Sequence, residues 1–177
     1  VAGHRWFAFL RAINTGTRRL TNEQLLAPFE ALGLDDVAAY QAAGNVTFRT
    51  TASVDEVSIE SVLRKAYGFA TPTFVRSADE VRAVVEATPF AADALAATAG
   101  RLQVAFLRAE PSAEQVAAVA DLTPDDDRTV VIGREWYWLP VDGVSTSKLP
   151  VGQVERVLGE MTMRTVGTVQ RMAAKFG

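Results

Sequence analysis

Phe9-Leu10-Arg11-Ala12 closes one apolar run of the chain, and Phe106-Leu107-Arg108-Ala109 closes another. Four matching residues in an alanine-rich sequence decide nothing alone. They decide the fold because the same order of elements follows each copy. Around the first copy, Trp6 to Ile13 reads as a strand. Thr21 with Gln24 forms a capping box, Leu25, Phe29 and Leu32 give the next helix its apolar stripe, and Gly33 stands just past its end. Pro28 lies inside that helix. A proline there removes a backbone hydrogen bond and crowds the carbonyl four residues back, so the sequence predicts a break or bend between Gln24 and Pro28. Val37 to Tyr40 and Asn45 to Arg49 read as a hairpin around Gln41-Ala42-Ala43-Gly44. Ser53 with Glu56 caps a second helix, with Ile59, Val62, Leu63 and Ala66 on its inner face. Thr73 to Arg76 is a fourth strand, and Ser77 with Glu80 caps a third helix ending before Pro89.

The second copy opens the same plan. Leu102 to Arg108 is a strand, and Ser112 with Gln115 caps a helix. Thr129 to Ile132 and Trp136 to Leu139 form a hairpin whose turn, Gly133-Arg134, has glycine where a type II′ turn needs it. Val151, Val154 and Leu158 mark a helix, Met163 to Val166 the last strand, and Val169, Met172, Ala173 and Phe176 a closing helix. This is an α+β protein of two ferredoxin-like (βαββαβ) units, 5–90 and 101–177, packed as one body and joined by a short helical linker at 91–100. Right-handed crossovers give each sheet the strand order 4-1-3-2.

With 177 residues the chain can bury about 70% of its unfolded surface, and needs no disulfide or metal to fold. It has no cysteine and one histidine, His4. That inventory excludes thiolate metal sites and cysteine nucleophiles, and leaves a Ser-His-Asp machine or a zinc site without ligands. The net charge of −3 disfavours nucleic acid, whose binding draws on a basic excess. No apolar run approaches the roughly 20 residues of a membrane helix. A cytoplasmic protein without membrane partner, metal or cofactor is expected.

The stretches Phe9-Leu10-Arg11-Ala12-Ile13-Asn14-Thr15-Gly16, Leu32-Gly33 and Tyr40-Gln41-Ala42-Ala43-Gly44-Asn45-Val46-Thr47-Phe48 resemble the bacterial domain of unknown function 1697. That family reads roughly LLRGINVGG, ALG and YIQSGNVVF. The likeness continues through Asp142-Gly143, Ser147-Lys148-Leu149, Arg164 and Thr168. Ala12 stands for the family's first-motif glycine and Ala43 for the serine before Gly44. The family's closing RNWNT appears as Arg164-Thr165-Val166-Gly167-Thr168. The resemblance implies the duplicated ferredoxin-like fold and no established reaction.

The candidate chemistry is thin. Asp125-Asp126-Asp127 follows Pro124 without calcium-loop spacing, and reads as a solvated loop more than a metal site. The Asn14-Thr15-Gly16-Thr17 turn, flanked by Arg18 and Arg19, lacks the lysine and spaced glycines of a phosphate loop. Phe7, Phe9, Trp136 and Trp138 could stack bases as RNA-recognition sheets do, but a first strand apolar on both sides reads as buried on both. The better candidates are donors that hold carboxylate or phosphate groups: Arg11, Asn14, Asn45, Lys148 and Arg164, with Gly44 allowing close approach. They point to a module holding a small anionic ligand or a partner. The alternatives are an enzyme of unassigned reaction using Arg11 and Lys148 to stabilise charge, and an RNA-binding protein. Topology adds one demand: the end of the first strand and the start of the third must meet, bringing Asn14 near Asn45.

Overall fold

Strand β1 (His4–Leu10) is the centre of the first sheet. The computed structural model describes residues 3–16, 19–41, 43–98 and 101–177. β1 pairs antiparallel with β3 (Asn45–Thr50) and β4 (Thr73–Ser77), and β2 (Asp35–Ala39) completes the order β2-β3-β1-β4. In the second sheet β5 (Gln103–Leu107) lies between β7 (Glu135–Leu139) and β8 (Met161–Thr165), with β6 (Arg128–Ile132) outside β7. Both sheets have the order expected from right-handed crossovers. The helices are α1 (Asn22–Ala31), α2 (Glu56–Tyr67), α3 (Ala78–Glu86), α4 (Ala92–Ala96), α5 (Ala113–Leu122), α6 (Val151–Leu158) and α7 (Val166–Phe176). The described residues thus make an α+β protein with two four-stranded antiparallel sheets and seven helices. The chain divides into two compact units, Val1–Ala83 with Met172–Gly177, and Val84–Arg171.

Register carries the internal likeness beyond the motif. Phe9 faces Asn45 and Phe74 across the first sheet, and Phe106 faces Glu135 and Thr162 across the second. One residue on, Leu10 pairs with Thr73 and Leu107 with Met161. Arg11 and Arg108 are therefore each the first residue past a central strand.

In the first unit, Ala8, Leu10, Val46, Phe48 and Val75 meet Leu25 and Phe29 of α1 and Ile59 and Leu63 of α2. Each large side chain buried there stabilises the fold by about 1.5–3 kcal/mol. The other side of that sheet is closed as well, since Phe7, Phe9, Thr47, Phe74 and Arg76 are fully buried. In the second unit, Leu107, Trp136, Trp138 and Met161 pack with Val119 of α5 and Val154 and Leu158 of α6. The rings of Trp136 and Trp138 stack 6.0 Å apart.

Among the expected boundaries that move, three do so for a clear local reason. β1 stops at Leu10 instead of Ile13, because Ala12 and Asn14 take left-handed φ angles of 60° and 56°. Asp55, not Ser53, caps α2, accepting from the N–H groups of Val57 and Ser58; its carboxylate reaches two orphan donors of the first turn. The last strand is Met161–Thr165, because Thr165 already caps the next helix through the N–H of Thr168. The capping boxes of Thr21 with Gln24 and Ser112 with Gln115 form as read. Pro28 does not behave as expected: α1 runs unbroken through it. The proline is buried and only three residues from the helix end, and the box at Thr21 holds the other end, so one missing bond does not divide the helix.

Candidate functional site

The end of β1 and the start of β3 do meet. The N–H of Leu10 donates to the Gly44 carbonyl (2.7 Å), and that of Arg11 donates to the Pro72 carbonyl (2.8 Å). Gly44 has φ +70°, and a Cβ there would stand 2.9 Å from the Leu10 carbonyl oxygen and 3.0 Å from Ile13 Cβ. Two asparagines clasp the loops around this crossing. Asn14 Oδ1 accepts from the Leu20 N–H (2.7 Å), and the Asn14 carbonyl accepts from Arg19 Nη1 (2.7 Å). Asn45 is fully buried; its Nδ2 donates to the Tyr40 carbonyl (3.2 Å), while the Tyr40 N–H donates to the Asn45 carbonyl (2.9 Å). These bonds close the β1–α1 loop and the β2–β3 turn. Arg11 is half-buried and Arg19 exposed beside them. Thr17 of the Asn14-Thr15-Gly16-Thr17 turn, the flanking Arg18, and Ala42 of the hairpin lie outside the described residues.

The left-handed residues of this loop alternate: Ala12, Asn14 and Gly16. Asparagine and glycine accept that conformation readily, whereas an alanine Cβ is crowded there by roughly 1–2 kcal/mol. Ala12→Gly is expected to raise stability by about 1 kcal/mol, the relieved crowding exceeding the added chain entropy. Urea unfolding checks this, and an unchanged or lowered midpoint would show that the loop is not held as described.

Lys148 and Arg164 belong to the second unit. Lys148 is exposed in the β7–α6 connection, next to a buried hub that the sequence did not suggest. Asp127, 8% exposed, accepts from Trp138 Nε1 (2.8 Å), the Val141 N–H (3.2 Å) and Ser147 Oγ (2.5 Å), and Ser147 Oγ accepts from the Leu149 N–H (3.0 Å). The third aspartate of the Asp125-Asp126-Asp127 run thus points inward to hold a loop. Among the described residues no group of three or more His, Asp or Glu is placed to hold a metal ion.

Arg164, on β8, pairs with Val104 of β5, and its Nη1 donates to Thr162 Oγ1 (3.0 Å) and the Met163 carbonyl (2.8 Å). Burial pushes its guanidinium down to about 10. Arg76 occupies the same register on β4, opposite Phe7. It is fully buried, donates Nη1 to the Val75 carbonyl (2.9 Å) and lies 3.9 Å from Glu56 Oε1. No local motif marks Arg76; only its distance from the repeat does.

The cleft next to Arg164 offers more room for a ligand. Where β8 runs into α7, a cavity of about 420 Å³ is lined by Arg101, Arg171, Gln170, Thr165, Val166 and Gly167, with Leu95 and Leu102 as its apolar wall. Arg171 Nη2 donates to Thr168 Oγ1 (3.3 Å), and a Cβ on Gly167 would meet Arg171 Nη1 at 3.4 Å. Thr165, Val166 and Gly167 are the positions where the chain departs from RNWNT. A larger apolar groove of about 640 Å³ lies between α1 and α2, lined by Leu20, Ala27, Pro28, Val62 and Tyr67. The four aromatics weighed as a base-stacking face are buried: Phe7, Phe9 and Trp136 are 0% exposed and Trp138 1%.

Two antiparallel sheets, each centred on its unit's first strand, define an α+β protein of repeated topology. The chain belongs to the family described as protein of unknown function (DUF1697), which it matches over residues 4–137. Its structure is similar to that of the conserved bacterial protein SP0830 from Streptococcus pneumoniae, with a TM-score of 0.69 and 18% identity, over 98% of this chain and 99% of that one. At that identity the likeness is one of fold. No curated protein is significantly similar in sequence. Among the described residues no helix is long and apolar enough to cross a membrane.

Proposed function

We propose that the chain is a duplicated ferredoxin-like protein of the bacterial cytoplasm that binds a small anionic ligand in the cleft between β8 and α7. The observation that carries the reading is the placement of Arg101 and Arg171 in one cavity at the start of an eleven-residue helix. The start of α7 is the positive end of its dipole, which favours an anion there, while the Val166 and Thr168 N–H groups are already held by the Leu102 carbonyl and Thr165 Oγ1 and leave the direct contacts to the arginines. Arginines add forked donors suited to carboxylate or phosphate. The volume of about 420 Å³ falls within the range of small-molecule sites. Arg164 acts in this reading as the buried anchor of the strand that leads into the cleft. Arg11, Asn14, Gly44 and Asn45 shape the corresponding end of the first unit, with Arg11 and Arg19 as its cations, and Lys148 stays outside the site. The shared strand order, the matching places of Arg76 and Arg164, and a helix following each fourth strand support the duplication.

Thermal unfolding with inorganic phosphate, sulfate or citrate tests the reading. A ligand at one hundred times its Kd stabilises by about 2.7 kcal/mol, which raises Tm by roughly 5–10 °C in a chain of this size. Arg171→Ala is expected to remove most of that rise, and Arg19→Ala to leave it. Absence of any rise, or a rise lost with Arg19 and kept without Arg171, would overturn the proposed site.

A further inference from the structure

The outer edge of β6 stands apart from the edges of the first sheet, which are blunted. β2 breaks register with β3 between Asp35 and Ala38, and Asp36, at φ 46°, is ion-paired to Arg5. On β4, the N–H groups of Thr73 and Val75 donate to Glu60 and Glu56 of α2, both at 2.7 Å. Carboxylates thus occupy donors that a sheet edge would otherwise offer. β6 has neither device in its register. Its five residues, Arg128-Thr129-Val130-Val131-Ile132, pair with β7 without interruption from Arg128↔Leu139 to Ile132↔Glu135. No strand pairs with its outer side among the described residues. Ile132 is 45% exposed.

We propose that β6 pairs antiparallel with β6 of a second copy of this chain, about a two-fold axis at Val130, joining two second sheets into one. An antiparallel partner must place residues of the same face opposite each other, so the pairing can shift only by steps that keep that parity. Centred on Val130, all five residues pair, and Arg128 of each copy lies opposite Ile132 of the other. The acidic Asp125-Asp126 turn before each strand then approaches Arg134 after the other, which makes the two ends complementary in charge. Centring on Val131 instead sets Arg128 against Arg134, two like charges. Centring on Thr129 loses pairs at the Ile132 end. The contact is isologous and closes at two copies. An interface of a single strand pair lies below about 1,200 Å², in the class of weak complexes, so the dimer forms in a concentration-dependent way.

Sedimentation equilibrium of the full chain, from about 10 µM to about 1 mM, spans the affinities of such contacts. The wild type is expected to shift from monomer to dimer across that range. Ile132→Lys places a cation opposite Arg128 twice per dimer and is expected to weaken association by roughly tenfold, whereas Ile132→Glu places an anion there and is expected to strengthen it by a similar factor. Arg128→Glu added to Ile132→Lys is expected to restore association. A chain monomeric at every concentration overturns the proposal, as does a dimer that both charges at position 132 weaken alike or leave unchanged. Because Ile132 is half-exposed, thermal unfolding of both variants should match the wild type, which separates loss of pairing from loss of fold.

Discussion

Gly44→Ala is expected to lower stability by about 3 kcal/mol, among the largest effects of any single-methyl addition to this chain. Two terms combine. At φ +70° a Cβ is crowded by its own backbone, which costs roughly 1–2 kcal/mol. The same Cβ would sit 2.9 Å from the Leu10 carbonyl oxygen and 3.0 Å from Ile13 Cβ. The first of these is main chain, and it cannot retreat without disturbing the 2.7 Å bond between the Leu10 N–H and the Gly44 carbonyl. Gly68 supplies the control. It has φ +76° with nothing within 4 Å of its would-be Cβ, so Gly68→Ala should cost only the backbone term, about 1 kcal/mol. Urea unfolding of the two variants separates the terms. For this size of chain the Tm losses should be about 6–12 °C and about 2–4 °C. Equal losses would show that the β1–β3 crossing is loose and that Gly44 is needed for its φ alone.

The signals that the sequence carried plainly are those that act over three or four residues. Thr21 with Gln24, Ser77 with Glu80 and Ser112 with Gln115 all form reciprocal caps, because both partners lie within one turn. Gly133, at φ 59°, opens its hairpin for the same local reason. Ile13 shows where such reading ends. It is apolar and buried, so pattern assigns it to the strand, yet its neighbours turn left-handed and only its side chain returns to the core. The polar residues were less legible. Asn14 and Asn45 stood out as donors, and their bonds go to Leu20 and Tyr40, loop partners that no spacing rule names. Arg101 and Arg171 sit in no motif and share a cleft only because β8 hands directly into α7. Arg76 was hidden for a related reason: a single arginine in a strand reads as an edge or surface residue until the register is known. Topology could be derived from repeated order, whereas side-chain destinations depend on partners distant in sequence.

Asp127→Ala is expected to cost about 3–4 kcal/mol, because one buried side chain serves three donors from two segments. Trp138 Nε1 and the Val141 N–H cannot turn elsewhere, and each left unsatisfied loses about 1–3 kcal/mol. Ser147 Oγ can rotate, but it also accepts from the Leu149 N–H and thereby ties the start of the α6 approach to the same carboxylate. Two further substitutions divide the effect. Ser147→Ala should cost about 1–2 kcal/mol, since it removes the bond to Asp127 and the acceptor of the Leu149 N–H but leaves the other two donors on Asp127 in place. Asp127→Asn should fall between them: its amide oxygen can accept from one side, while its NH₂ meets a donor on the other. Unfolding followed by tryptophan fluorescence reads the loss directly, because Trp138 is part of the hub and stacks on Trp136. An Asp127→Ala loss within about 1 kcal/mol of wild type would mean that the three donors find other acceptors. The loop would then be held chiefly by Leu149, which packs in the second core. A loss of the expected size with an unchanged anion response in the Arg101–Arg171 cleft would instead assign the Ser147-Lys148-Leu149 motif to architecture, leaving Lys148 as its solvent-facing member.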